Sequence, residues 1–259
     1  LKVVGGIVPG SVPNVLFAHP TDGWFAMEFL GDGFSNWKSL LLEQRAEPEH
    51  ARRAGEVMGR IHHRTWGDAS LAREFATLAN FRQLRLEPYL ETTADRVPEL
   101  AALLRAESAR LASTSLALVH GDFSPKNILL SPGRFVLLDA EVGWFGDPVF
   151  DVAFLVNHFF LKALLHSSNP APLLALVPVF WGAYTAELGA KADVEFERRV
   201  VRLLLCLLLA RVHGKSPVEY LPESGSRTWV TEFVQKHLPQ PPSQLAELAA
   251  AWRAGLLHR

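Results

Sequence analysis

The sequence VHGDFSPKNILL (residues 119–130), followed by VLLDAE (residues 136–141), decides the fold. An apolar strand leads into a polar loop with Asp122, Asn127 stands five residues later, and a second apolar strand ends at Asp139. Loops held by rigid strands are where binding and catalytic side chains concentrate. The stretch therefore predicts a small β island that carries the polar site of the molecule.

Helical periodicity dominates the chain on both sides of this island. The residues before the island predict a β-hairpin within 12–30 and then helices over 48–66, 71–78, 81–90 and 98–111. The residues after it predict helices over 147–165, 171–187, 194–212, 229–237 and 243–256. We therefore expect an α+β fold, in which a mainly helical body surrounds a small central β island and a further β piece precedes it.

Composition excludes several classes of protein. The net charge of the 259 residues is −1, so the chain lacks the basic surface that broad nucleic-acid binding requires. Cys206 is the single cysteine, which excludes a disulfide framework or a Cys-rich zinc site and suits a reducing, cytoplasmic setting. The apolar run 200–212 is too short to span a bilayer and contains Arg202, so it predicts a buried core helix and no membrane partner.

The polar residues of the island are those that phosphoryl transfer requires. Asp122 is a candidate base, because a carboxylate must orient or deprotonate the attacking hydroxyl. Asn127 and Asp139 are candidate Mg²⁺ ligands, because this ion prefers hard oxygen donors. Glu141, two residues beyond Asp139, would place a further carboxylate on the same face of the strand.

Several motifs in this window resemble one known family. His120-Gly121-Asp122 with Asn127, the strand that ends in Asp139, and the segment GDPVFDVA (residues 146–153) follow one another as in the aminoglycoside phosphotransferase superfamily. That group includes choline and methylthioribose kinases and shares the fold of protein kinases. The resemblance is specific between residues 119 and 153. It implies a protein-kinase-like fold and an ATP-dependent, Mg²⁺-using kinase that phosphorylates a hydroxyl of a small molecule.

The resemblance also implies roles for individual residues. Asp122 would be the base, and Asn127 and Asp139 would hold magnesium. Adenine would bind the backbone that leads into the hinge between the kinase lobes, at Glu28, Phe29 and Leu30. Polar neighbours would support the loop: His120, Asp147 and Asp151. The acceptor pocket, which the helical lobe must supply, would draw on Trp144, His158, Trp181 and Arg211.

The motif Asp139-Ala140-Glu141 gives an indication of the class of acceptor. It is more similar to the Asp-x-Glu of the methylthioribose and choline kinase branches than to the Asp-Trp common in drug-modifying members. The later helices also show no acid-rich run of the kind that would hold an aminoglycoside. The resemblance therefore favours a small metabolite as the acceptor.

One departure from the family concerns the nucleotide. Kinases of this fold carry a Gly-rich phosphate loop and an ATP-binding lysine upstream of the hinge, and residues 1–27 contain neither pattern. Since the first residue is Leu1, we expect a chain without most of its N-terminal lobe, with 1–33 as the remnant of that lobe and the hinge, and 34–259 as the phosphotransferase lobe. ATP binding by this chain should then be weak.

Two other functions remain open. A non-catalytic, pseudokinase-like module that binds a metabolite or a partner would explain the missing phosphate loop. A metal phosphoesterase would match His-Gly-Asp alone, but such sites need several histidines around two metals, and only Asn157-His158 offers a second candidate pair. His62 and His63, on the amphipathic helix 48–66, are interpreted as part of a solvated face.

Overall fold

The computed structural model describes residues 1–19, 21–221 and 224–257 and shows a mainly helical fold with small antiparallel sheets. The strands are β1 (Val15–His19), β2 (Trp24–Met27), β3 (Ser35–Asn36), β4 (Ala117–Val119), β5 (Ile128–Ser131), β6 (Arg134–Leu137) and β7 (Trp144–Gly146). β1 pairs with β2, β3 with β5 and β5 with β6, and β4 with β7. The predicted hairpin is therefore β1–β2, and the predicted island is a pair of short sheets.

Thirteen α-helices fill the described ranges around these strands. They are α1 (Lys2–Ile7), α2 (Trp37–Leu42), α3 (Pro48–Thr65), α4 (Ala69–Glu74), α5 (Leu78–Phe81), α6 (Thr92–Arg96), α7 (Ala101–Ser113), α8 (Val149–Leu165), α9 (Ala171–Leu174), α10 (Leu176–Leu188), α11 (Val194–His213), α12 (Ser224–His237) and α13 (Leu245–Leu257). Short 3₁₀ turns lie at Pro98–Leu100, Pro125–Asn127 and Gly189–Lys191. Arg82–Glu91 is a π-helix.

Three of the expected helices differ from those observed. The helix predicted over 71–78 ends at Glu74, because the carbonyl of Phe75 leaves the helix to accept a hydrogen bond from the Phe145 N–H of β7. The helix predicted over 171–187 is divided at Ala175, three residues before Pro178, which has no N–H to continue the ladder. The helix predicted over 81–90 widens into the π-helix that contains Pro88.

The core lies around two long helices that position the island. Every residue of α8 from Val149 to Leu164 is buried, and α11 is buried from Val200 to Val212 apart from Arg202. The prediction of a buried core helix over 200–212 is therefore confirmed. The two helices pack against each other, and α8 begins directly after β7.

Helices α3 and α10 approach each other unusually closely. A Cβ added at Gly55 would lie 2.5 Å from the Phe180 carbonyl oxygen, and one at Gly59 would lie 2.7 Å from that of Tyr184. Only glycine permits backbones to pack at this separation. Within the described part of the chain, one stretch, 171–191, is long and apolar enough to cross a membrane by length and composition alone. That is weak evidence, since a core helix passes the same test and α10 packs along α3.

Candidate active site

Strand β4 delivers the loop of the predicted site, and α8 holds it in place. The carboxylate of Asp151 accepts hydrogen bonds from the N–H of His120 at 2.7 Å and from that of Gly121 at 2.9 Å. Gly121 has a φ of +75°, and a Cβ there would lie 2.6 Å from the Val142 carbonyl oxygen. The loop thus requires a glycine at one position and a carboxylate from the first turn of α8 at another.

The sequence did not predict the residues that support the Asp151 side chain, His62 and Tyr184. His62 is buried, with Nε2 at 3.3 Å from Asp151 Oδ2 and Nδ1 at 3.0 Å from the Tyr184 hydroxyl. The interpretation of His62 as a solvated residue is wrong, although His63 is exposed. The spacing of the residues could have predicted the burial of His62. It follows the buried Met58 by four residues and so lies on the same face of α3.

His120 connects the two strands of the predicted site. Its Nδ1 accepts a hydrogen bond from the Asp122 N–H at 3.2 Å, and its Nε2 donates to the Leu138 carbonyl at 3.0 Å. This pairing holds one neutral tautomer, with the proton on Nε2. Burial lowers the pKa of His120 below its usual value, which keeps the ring neutral. The ring therefore positions the Asp122 loop against the strand that ends at Asp139.

Asn127 makes the second connection. Its side-chain Nδ2 donates to the Asp122 carbonyl at 3.0 Å, and its own carbonyl accepts from the Leu138 N–H at 2.8 Å. Asn36, from β3, fixes the same turn by donating to the Lys126 carbonyl at 2.7 Å. No hydrogen bond from a described residue reaches Asn127 Oδ1. This amide oxygen is therefore available to a ligand.

Asp122 has a nearly buried carboxylate with two basic partners. Lys126 Nζ lies 2.9 Å and Arg85 Nη2 lies 3.2 Å from Asp122 Oδ2. Arg85 comes from the π-helix and also donates from Nε to the Gly121 carbonyl. Nothing in the sequence around Arg85 predicts that it belongs to the site. Its contact with Asp122 depends on the path of the π-helix, which the sequence does not show.

Asp139 has an unusual backbone conformation at the end of β6. Its φ is +64°, a left-handed conformation that is unfavourable for a non-glycine residue and often occurs at functional sites. The exposed carboxylates of Asp139 and Glu141 have no ion-pair partner within the described ranges. Both residues line a cavity of about 680 Å³ that the β1–β2 hairpin covers from the other side.

The oxygen donors here fit a hard divalent cation. Asn127 Oδ1 and the carboxylates of Asp139 and Glu141 are of the type that Mg²⁺ prefers. No group of three or more His, Cys, Asp or Glu side chains that could hold a metal occurs in the ranges that the structure describes. A Mg²⁺ at this site would therefore use Asn127 Oδ1 and the carboxylates of Asp139 and Glu141, and would complete its coordination with ligands from outside this chain, such as phosphate oxygens and water.

The residues expected to form the hinge, 28–30, directly follow β2. Glu28 pairs with Arg134 at 2.5 Å and 2.8 Å, and this hydrogen bonding lowers the Glu28 pKa to about 2. The Glu28 N–H donates to the Asn14 carbonyl at 2.8 Å. Phe29 is 91% exposed, and Leu30 is half-buried. The structure thus places Met27, rather than residues 28–30, on the wall of the cavity that Asp139 lines.

Asp147 lies at the start of α8, away from the loop residues. It is fully buried, pairs with Arg110 and with Arg199 at 2.7 Å, and accepts a hydrogen bond from the Val149 N–H at 3.2 Å. These contacts tie the first turn of α8 to α7 and α11. Asp147 therefore acts on the loop through the position of α8 and does not contact it in a hydrogen bond.

The four candidate acceptor residues fall into two groups. Trp144 is buried and stacks on Phe81 with ring centroids 4.1 Å apart, and Trp181 lines a separate cavity of about 360 Å³. Within the described ranges, no hydrogen bond or ring contact joins either indole to residues 120–127. His158 and Arg211 are both buried in the helical lobe, and burial, helped by the charges of Lys162 and Arg211, lowers the His158 pKa well below its usual value.

The fold and the site together define a class of protein. The chain combines a mainly helical lobe, an Asp-bearing loop after the short strand β4, and Asp139, which follows β6 and lines a cavity together with the β1–β2 hairpin. The family model described as "Phosphotransferase enzyme family" matches residues 6–167, which is more than half of the chain. The chain belongs to this phosphotransferase family, within the kinase-like superfamily expected from the sequence.

Known relatives in this family are methylthioribose kinases. The chain is 25% identical to the methylthioribose kinase of Pectobacterium carotovorum over 221 residues, which cover 72% of this chain and 55% of that protein. Identity to the methylthioribose kinase of Yersinia enterocolitica is 25% over 183 residues, which cover 61% of this chain and 46% of that protein. The chain thus spans about half the length of the curated relatives it matches.

Solved structures share the fold at low identity. A choline/ethanolamine kinase family protein from Mesorhizobium loti has a TM-score of 0.51 and 18% identity, covering 98% of this chain and 82% of that one. A glucosamine kinase has a TM-score of 0.50 and 17% identity, covering 99% of this chain and 68% of that one. These likenesses confirm the protein-kinase-like α+β fold.

Proposed function

We propose that the chain is the phosphotransferase lobe of an ATP-dependent small-molecule kinase. The observation that supports this best is the hydrogen-bond network around His120, which ties the Asp122 loop, Asn127 and the strand ending at Asp139 into one unit. Phosphoryl transfer needs little covalent chemistry from the protein, and depends on positioning and on charge stabilisation. A rigid unit of three oxygen-bearing side chains meets that need.

Each oxygen-bearing residue has a separate role in the proposal. Asp122 orients the acceptor hydroxyl and accepts its proton, as the carboxylate lies at the centre of the loop. Asn127 and Asp139 hold Mg²⁺, with Glu141 as a further carboxylate on the cavity wall. Mg²⁺, when bound with ATP, neutralises charge on the phosphate oxygens. Lys126, 2.9 Å from Asp122, adds positive charge where the transferred phosphoryl group would pass.

The cavity of about 680 Å³ between the hairpin and Asp139 is the proposed nucleotide cleft. Its volume lies within the range of small-molecule and cofactor sites, roughly 300–1,000 Å³. The backbone at Glu28, Phe29 and Leu30, which directly follows Met27 on the cavity wall, would hold adenine. Residues 1–33 are the proposed part of the N-terminal lobe, and ATP binding by residues 1–259 alone should be weak because no Gly-rich loop lies among them. A cytoplasmic location and a small metabolite acceptor complete the proposal.

The test is a kinase assay on the longest reading frame that contains this chain. ADP release is measured with Mg²⁺, ATP and a panel of sugars, amino alcohols and thioribose derivatives. Replacement of the base, Asp122→Asn, should lower kcat by roughly 10²–10⁴-fold. Asp95→Asn is the matched control, because the Asp95 carboxylate is exposed and pairs only with Arg105 among the described residues. Undiminished turnover in Asp122→Asn would end the proposal.

A non-catalytic, pseudokinase-like binding module is the second candidate. The absence of a Gly-x-Gly-x-x-Gly pattern from residues 1–27 favours it. Such a module would bind a small molecule with unchanged affinity in Asp122→Asn and would release no ADP in any assay. Binding measured by calorimetry beside the kinase assay separates the two functions.

A further inference from the structure

Helix α8 carries one side-chain row from the candidate site into the helical lobe. Phe154, His158 and Lys162 follow at intervals of four and therefore share a helix face. At one end of this row, the guanidinium of Arg85, which pairs with Asp122, lies 5.7 Å from the Phe154 ring centre. At the other end lies Lys162. The row thus runs from the catalytic loop to a basic residue inside the protein.

Lys162 is a buried ammonium group without a hydrogen bond. The side chain is fully buried, and no acceptor in the described ranges reaches Nζ. The ammonium group lies over the ring of Tyr220, with Nζ 4.7 Å from the ring centre. A buried charge is normally paired or hydrogen-bonded, because its desolvation is otherwise unfavourable by several kcal/mol.

Arg211, from α11, adds a second buried cation beside this row. It is 9% exposed, and its Nη1 donates to the Tyr89 hydroxyl at 3.0 Å and to the carbonyl and hydroxyl of Ser216 at 2.6 Å and 3.2 Å. All three acceptors are neutral. Its buried Nε has no partner among the described residues.

The acidic groups nearby are already paired with other cations. Glu219 pairs with Lys38, and Asp122 pairs with Lys126 and Arg85. No carboxylate forms an ion pair with Lys162 or Arg211 in the described part of the chain. His158 lies among these cations and is itself an uncharged donor or acceptor, 3.5 Å from the Tyr220 hydroxyl. The part of the helical lobe around Lys162 and Arg211 therefore has an excess of buried positive charge.

We propose that Lys162 and Arg211 bind an anionic group of the acceptor, a carboxylate or a phosphate, while the acceptor hydroxyl lies at Asp122. This inference rests on the proposed kinase function and deepens it by naming the acceptor class. An anion would provide acceptors for Lys162 Nζ and Arg211 Nε, two buried donors that have no partner among the described residues. The same positive charge would repel ammonium groups, so amino alcohols and aminoglycosides are disfavoured acceptors.

The first experiment measures binding without catalysis. Chain 1–259 is titrated by calorimetry with glycerol, glycerate and glycerol phosphate, which share a carbon backbone and differ in charge. The pH is about 6, below the Lys162 pKa, which burial lowers to about 7. Binding of glycerate or glycerol phosphate but not of glycerol is expected, and the stronger of the two identifies the anion. No binding of either anion, or equal binding of glycerol, would overturn the inference.

Variants assign the binding to Lys162. Lys162→Met should weaken anion binding at least about tenfold, the equivalent of roughly 1.4 kcal/mol. Lys162→Arg, which keeps the charge, should retain part of it. Lys236→Met is the matched control, since Lys236 is exposed on α12. Because Met removes an unpaired buried charge, the variant should remain folded, as its melting temperature will show. Full anion binding in folded Lys162→Met would overturn the inference.

Kinase assays separate this inference from the proposed function. If ADP release requires Asp122 and is equal for neutral and anionic acceptors, the anion site is wrong and the kinase function stands. If anion binding depends on Lys162 and no acceptor releases ADP, the kinase function fails, and with it the assignment of the anion as part of an acceptor. Selective phosphorylation of hydroxy acids or hydroxyalkyl phosphates, lost in Lys162→Met, is the expected result.

Discussion

At the residue scale, the conformation of the loop depends on one carboxylate. Asp151 is buried and accepts both the His120 and the Gly121 N–H groups. Asp151→Ala leaves these buried donors unpaired, and each unpaired buried donor destabilises a protein by about 1–3 kcal/mol. We expect the free energy of unfolding, measured in urea, to fall by about 3 kcal/mol.

A control for this variant is Asp193→Ala. Asp193 caps α11 by accepting a hydrogen bond from the Phe196 N–H at 2.7 Å. Loss of an N-cap destabilises by about 1 kcal/mol. If Asp151→Ala were no more destabilising than this single-cap variant, the role assigned to Asp151 would be wrong.

Lys162 determines a pH dependence of stability. Burial is the main cause that lowers its pKa to about 7, Lys38 and Arg211 lower it further, and Glu219 opposes them. His158 and the Tyr220 ring also face the ammonium group. Between this pKa and the unfolded value of about 10.4, the unfolded chain binds more protons than the folded one. The lysine therefore destabilises the fold below neutral pH, and this penalty is relieved as the pH rises.

The matching prediction compares the wild type with Lys162→Met. The free energy of unfolding of the wild type should rise relative to that of the variant between about pH 7 and pH 9. Urea denaturation at several pH values measures both proteins under the same conditions, so contributions from other groups cancel. A constant difference across this range would contradict the burial of a titrating ammonium.

At the element scale, the close packing of α3 on α10 affects the Asp122 loop through a chain of side-chain contacts. Gly55→Ala would force a Cβ to within 2.5 Å of the Phe180 carbonyl oxygen and 2.9 Å of the Tyr184 N–H nitrogen. Overpacking of this kind destabilises by about 1–3 kcal/mol. The Tyr184 hydroxyl contacts His62, which contacts Asp151, so any displacement of α10 also acts on the loop. We expect a lower melting temperature and, in the kinase assay, a lower kcat.

Gly182→Ala provides the control on α10 itself. A Cβ added there has nothing within 4 Å, so alanine should stabilise the helix by about 1 kcal/mol. We therefore expect Gly55→Ala to lower the stability of the protein and Gly182→Ala to raise it. Equal effects of the two changes in thermal denaturation would show that the helix separation differs from that described.

At the scale of the whole molecule, the β1–β2 hairpin exposes apolar residues on both faces. Phe17 and Trp24 form a ring contact with centroids 5.2 Å apart, and both Trp24 and Phe25 line the cavity. Phe17, Trp24 and Phe25 are each about half exposed. Contiguous exposed apolar surface promotes association, whereas single exposed residues do not.

This surface leads to a prediction about solution behaviour. The double variant Phe17→Ser with Phe25→Ser should reduce both binding of an apolar dye and self-association in sedimentation velocity at high concentration. Val194→Ser is the control, because Val194 is 62% exposed and lies alone at the start of α11. Equal dye binding by all three proteins would mean that the hairpin is covered in solution.

The sequence by itself determined the parts of this protein that depend on short segments. The β island, the buried helix over 200–212 and the kinase-like family follow from apolar periodicity and from motifs within 119–153. The order Asp122, Asn127, Asp139 also lies within this window. The network that joins these residues spans no more than 18 positions between its partners, so local pattern nearly specifies it.

Only the tertiary structure decided which distant residues meet the loop. Arg85 reaches Asp122 from the π-helix, and His62 of α3 reaches both Asp151 of α8 and Tyr184 of α10, the helix on which Gly55 and Gly59 let α3 pack closely. The excess positive charge at Lys162 arises where α8, α11 and the segment before residue 221 converge. Arg85 and Asp122 are 37 positions apart in the chain and His62 and Asp151 are 89 apart, and no local pattern encodes the angle or separation of two helices.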